Sequence, residues 1–83
     1  MRLAQYVKFR EEKFGGVLFE TRSEKVFTLT PTAAAVIREI VAGAAPAEIA
    51  PRLAERFDAP AGTIEREVGD FLAEMRAKGL VEG

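Results

Sequence analysis

The chain contains no cysteine and no histidine among its 83 residues. Without cysteine, disulfides, thiolate catalysis and cysteine-held zinc or iron–sulfur centres are excluded. Without histidine, the usual general base near neutral pH and the commonest metal ligand are both missing. A nucleophile–base pair therefore has no base. Neither sign of charge dominates: 12 Lys and Arg stand against 13 Asp and Glu, a net charge of −1. A surface that tracks nucleic-acid phosphates carries a basic excess, and none is visible. No apolar run approaches the ~18 residues of a membrane span. The opening Met1-Arg2-Leu3-Ala4-Gln5-Tyr6 lacks the apolar stretch of a signal peptide. The expectation is a cytoplasmic protein and not an enzyme, with no cofactor, no metal ion, no nucleic acid and no membrane contact.

Hydrophobic residues make up 48% and charged residues 30%, ordinary for a soluble globular domain. The length predicts one domain, residues 1–83. A chain near this size buries roughly 60–65% of its unfolded surface, enough for one modest core. No internal repeat, linker or low-complexity stretch interrupts it.

The order of the patterns says most. Strand-like sequence comes first and helix-like sequence follows, with an abrupt join where Val26-Phe27-Thr28-Leu29 meets Thr30-Pro31-Thr32. Tyr6 to Arg10 is β-prone, and Glu11-Glu12-Lys13 reads as a polar connector. Phe14-Gly15-Gly16 is either a bulge that aims Phe14 inward or a plain turn. It is not a phosphate loop, since no Gly-Lys-Ser/Thr follows. Val17 to Thr21 reads as a second strand, Arg22-Ser23-Glu24 as a tight turn, and Lys25 to Leu29 as a third strand. By period two, Lys25, Phe27 and Leu29 share one face and Val26 and Thr28 the other, with Phe27 and Leu29 expected in the core.

Thr30 fits a helix cap and Pro31 the first helical position. Ala33, Ile37, Ile40 and Val41 make one stripe, and Gly43 marks the stop. A second helix is predicted from Pro46 to Phe57, with Ile49, Leu53 and Phe57 spaced by four in the core. Pro51 lacks the N–H that would bond the Ala47 carbonyl, so this helix is expected to be irregular near its start or to begin after Pro46. Asp58-Ala59-Pro60 separates it from a third, whose core face is Ile64, Val68, Phe71 and Met75. Gly79 fits a left-handed C′ residue, with Leu80 folding back on Met75 as in a Schellman motif. The fold class is α+β: a three-stranded antiparallel meander, then a three-helix cluster.

Several of these segments taken together resemble the PqqD family. They are Phe27-Thr28-Leu29-Thr30 before an alanine-rich helix, Glu48-Ile49 with Leu53 and Phe57, Glu67-Val68 with Phe71-Leu72, and Lys78-Gly79-Leu80-Val81. The opening Phe9-Arg10-Glu11-Glu12-Lys13-Phe14-Gly15 is similar to the mycofactocin-system branch. The resemblance spans about residues 7 to 82 and departs at Pro51 and at Thr30, where many members have Asn. It implies a winged helix-turn-helix relative that acts as a peptide chaperone. Such a chaperone binds the leader of a ribosomally made precursor peptide and presents it to a radical SAM maturase.

The residues by themselves allow a peptide site. In a meander the first and third strands are edges with unpaired N–H and C=O groups. Lys25 reads as a guard on such an edge. The same edge can instead take a peptide as a fourth strand. The expected peptide-binding residues are Lys25, Val26, Phe27, Thr28 and Leu29 on the strand. The third helix adds Val68 and the flank Glu65, Gly69, Leu72 and Arg76. Gly69 is singled out because a mid-helix Gly costs about 1 kcal/mol relative to Ala. Either a peptide approaches closely there, or the helix packs tightly, or the site is simply tolerant. The arginines of the helices are interleaved with Glu48, Glu55, Glu65, Glu67, Asp70 and Glu74, which predicts a mixed solvated surface with helical ion pairs. Glu67, Asp70 and Glu74 lack the partners a metal site needs. Two other functions remain open: a winged-helix DNA-binding protein, and a scaffold whose edge pairs with a second copy as a homodimer.

Overall fold

The computed structural model describes residues 1–83, Ala61 by its backbone alone. Among the described residues the elements run β1 (Arg2–Leu3), β2 (Val7–Glu12), β3 (Gly15–Glu20), β4 (Lys25–Leu29), α1 (Pro31–Val41), α2 (Pro46–Arg56), α3 (Ala61–Ala77) and β5 (Val81–Glu82). Strands β2, β3 and β4 form an antiparallel meander in that order, and β1 pairs with β5 as a separate ribbon. Three strands followed by three helices is the architecture read from the sequence.

Period two decides the faces of the meander. Phe9, Leu18 and Phe27 stand opposite one another across the three strands. Leu18 is fully buried beneath the helices, and Phe9 and Phe27 pack against the same core. The next row, Lys8, Phe19 and Val26, lies on the outward face, where Val26 is 60% exposed. Glu11 and Glu12 are strand residues rather than a connector, paired with Gly16 and Gly15. The connection shortens to Lys13-Phe14, a plain turn with Phe14 exposed. Gly15 closes it at φ +141, and a Cβ there would collide with the backbone of Leu29 and Thr30. The bare backbone lets the β2–β3 hairpin close against the junction of β4 and α1.

Helix α1 starts as its sequence directs. The Thr30 hydroxyl accepts a hydrogen bond from the Ala33 N–H at 3.2 Å, and Pro31 takes the first helical position. The helix touches β1, β3, β4, α2 and α3. A helix covered on several sides buries more than one stripe, so Ala34, Ala35 and Val36 are buried with Ile37 and Ile40. Val41, expected in the stripe, is the last helical residue and is exposed. The helix ends in a Schellman motif at Gly43, with the Ala44 N–H donating to the Glu39 carbonyl at 3.0 Å.

Helix α2 begins at Pro46 and is continuous through Pro51, contrary to the expected irregular or later start. A helix-interior proline costs about 3 kcal/mol. Complete burial of Ile49 and Leu53 offsets it, while Pro51 is exposed. Helix α3 buries Ile64, Val68, Leu72 and Met75. It ends as the sequence indicates: Gly79 adopts φ +72, and the Leu80 N–H donates to the Met75 carbonyl at 2.9 Å. The chain then enters β5, where Val81 pairs with Leu3. The Tyr6 hydroxyl donates to the Gly79 carbonyl at 2.6 Å, which ties the N-terminal segment to the end of α3.

Candidate functional site

Strand β4 pairs with β3 on one side, and its other side is unpaired among the described residues. In an antiparallel strand every second residue turns its N–H and C=O toward a given side. The open border of β4 therefore carries unused backbone donors and acceptors. Across from it lies α3, and between the two is a cavity of about 450 Å³. Buried Leu29 and Met75 and half-buried Phe27 and Ala33 form its floor. Phe71 walls it on the helix side, and Glu74 and Lys78 stand at the mouth. The Lys78 ammonium donates to Glu74 at 2.8 Å and sits 5.2 Å from the centre of the Phe27 ring. Both side chains are about half exposed. Such a pair is worth under ~1 kcal/mol and opens readily.

The strand residues of the expected site lie together. Val26, Phe27, Thr28 and Leu29 line the cavity, with exposed Lys25 at the start of β4. The helix half is placed differently. Val68 and Leu72 are core residues. Glu65 lies toward α2, beside Ala50 and Ala54. Gly69 and Arg76 share that flank by helical spacing and are exposed, and a Cβ on Gly69 would meet open space. The flank that meets the cavity is Phe71, Glu74 and Lys78. Helical spacing defines two flanks beside the stripe of Ile64, Val68 and Met75. Which one faces β4 depends on the direction in which α3 crosses the sheet and on where α2 sits. Neither is a local property. One signal was present in the sequence: Phe71 is a large aromatic at the stripe's border, followed by Glu74 and Lys78 at ion-pair spacing.

A second charged group lies away from the cavity. Arg52 donates to Glu39 at 2.9 Å and to Glu48 at 3.2 Å, and Arg56 also donates to Glu39. The hydrogen bond from Arg52 holds the Glu39 carboxyl below its ordinary pKa, assisted by the charges of Arg52 and Arg56. This group joins the end of α1 to α2. Among the described residues no helix is long and apolar enough to cross a membrane.

The family described as "Coenzyme PQQ synthesis protein D (PqqD)" matches residues 15–81 of the chain. No curated protein sequence matches it. Two solved structures are similar. One is "TbiB1 in Complex with the TbiA(beta) Leader Peptide", at 24% identity and TM-score 0.88, covering 100% of this chain and 96% of that one. The other is "Lasso peptide synthetase B1 complexed with the leader peptide", at 23% identity and TM-score 0.84, covering 99% and 96%. At these identities both likenesses establish the fold.

Proposed function

The chain belongs to the PqqD family, and we propose that it is a cytoplasmic chaperone that binds the leader of a ribosomally made precursor peptide and presents it to a radical SAM maturase. The whole chain acts as one recognition domain with no chemistry of its own. The observation that carries this reading is the unpaired border of β4 facing α3 across an apolar cavity. The likeness to two proteins solved with leader peptides supports it.

Magnitudes define what the leader must bring. Backbone bonds along a strand of five residues give only a few kcal/mol, at ~0.5–1.5 kcal/mol each. Micromolar binding needs about 8 kcal/mol after ordering costs. Before those costs are added the shortfall is already about 5 kcal/mol, which sets a floor of roughly 200 Å² of buried apolar surface at ~25 cal/mol per Å². That is one or two large side chains. On a paired strand, alternate residues face the same way. The leader should therefore present apolar residues two apart, over Phe27, Leu29, Phe71 and Met75. Val26 borders the cavity and also stands beside Phe19 on the outward face. An enzyme resting on that face would touch the bound leader.

The test is a titration with the leader segment of a short precursor reading frame encoded beside this chain. Calorimetry is expected to give micromolar or tighter binding, with amide shifts at residues 25–29 and at Phe71, Glu74 and Lys78. No heat with any such segment, or shifts confined to α2, would overturn the reading. Salt-sensitive retardation of duplex DNA would support the DNA-binding alternative instead.

A further inference from the structure

The cavity beside β4 does not end with the strand. Past Leu29 it continues into a second space of about 350 Å³ between the first turn of α1 and α3. The two spaces share Thr30, Ala33 and Phe71. The second is apolar along Ala33, Val36 and Phe71, and Thr30, Thr32 and Glu67 complete its lining. Glu67 has no ion-pair or hydrogen-bond partner among the described residues. Its neighbours at helical pairing distance are Thr63, Ile64, Asp70 and Phe71, and none is cationic. Glu74, two turns on in the same groove, is met by Lys78. The two ends of the groove therefore differ: at one a carboxylate is already paired, and at the other it is not.

We propose that the second space takes a basic side chain of the bound peptide, a Lys or Arg. Its methylene stem lies along Ala33, Val36 and Phe71, and its charged head pairs with Glu67. Long basic side chains bury their stems against apolar surface while the head stays in water, which suits a space with an apolar wall and a carboxylate in its lining. The assignment rests on the leader-binding reading and deepens it. It also places the basic residue along the leader. Strand β4 runs toward α1. A leader that continues the antiparallel meander runs the other way, so its basic residue precedes the segment paired with β4. Glu67 then acts as a specificity determinant: it disfavours leaders with an acid at that position.

The experiment is a selection from a random-sequence peptide library displayed against the full chain, run in parallel on Glu67→Gln and Glu67→Lys. Binders of the native chain are expected to carry Lys or Arg at a fixed offset before an alternating apolar pair. That enrichment should vanish on Glu67→Gln and give way to Asp or Glu on Glu67→Lys. For a single synthetic winner, Glu67→Gln should weaken binding about two- to fivefold, less so at high salt. The same peptide with its basic residue replaced by Gln should lose nothing further on that variant. Winners that shift the β4 amides but show no basic enrichment, or that ignore Glu67→Gln, overturn this assignment and leave the groove reading standing. An absence of winners, or winners that leave the β4 amides unmoved, overturns both.

Discussion

The sheet has two borders, and they are built in opposite ways. The β2 border carries Lys8, Arg10, Glu11 and Glu12 within its six residues. Arg10 pairs with Glu12 at 2.7 Å, and Glu11 with Arg38 of α1 at 2.8 Å. The β4 border reads Lys-Val-Phe-Thr-Leu, with a single charge at its first residue. Beside it stands α3 with an apolar cavity between them. The backbone of either border is equally ready to pair. Side chains decide which one does: charges make pairing at β2 unrewarding, while apolar neighbours at β4 reward a chain that brings apolar residues. Among the described residues both borders are unpaired, and only the β4 border has a second wall that would make an added strand selective.

Removing that wall is the strongest way to break the asymmetry. Phe71→Ala should lower leader affinity about thirtyfold, the loss of roughly 2 kcal/mol typical of an aromatic anchor. Phe71→Leu should retain most of the binding. Calorimetry on folded variants checks both. The next effect is on stability. Gly69 faces open space, so Gly69→Ala should stabilise the fold by about 1 kcal/mol, a Tm rise of about 4–8 °C. Leader affinity should not change, even in Gly69→Leu. Weaker binding in either variant would put the groove on the other flank of α3.

A smaller effect sharpens the comparison from the β2 side. Replacing Arg10 and Glu12 by Thr strips part of the guard. Sedimentation velocity should then show concentration-dependent self-association, while affinity for the leader stays within about twofold, the range of a lost exposed pair. The smallest effect concerns the charged group remote from both borders. Glu39 has a lowered pKa, so its contribution is present above the ordinary value of 4.5 and is lost as pH falls through the lower folded value. Glu39→Gln should flatten the acid limb of a thermal-stability profile, with leader affinity at neutral pH untouched.

What was legible in the sequence was local. The bounds of β4, the Thr30 cap, the Gly43 stop and the Leu80–Met75 closure follow from residues a few positions apart. So does the core row of Phe27 and Leu29. The rest depends on distant partners. Strands β1 and β5 have two residues each, too few for any periodicity. Pro51 argues against a continuous helix, and only the burial of Ile49 and Leu53 overrides it. Val41 and the cavity-facing flank of α3 turn on where one helix lies against another. The strand residues that line the cavity are therefore readable from the sequence, whereas the flank of α3 that meets it, Phe71, Glu74 and Lys78, is not.

Amide hydrogen exchange with and without a bound leader tests the central claim most directly. Slowed exchange confined to alternate residues of Val26–Leu29, with β2 exchanging as before, is the predicted result. Protection appearing along β2, or on α2 with β4 unchanged, would contradict it.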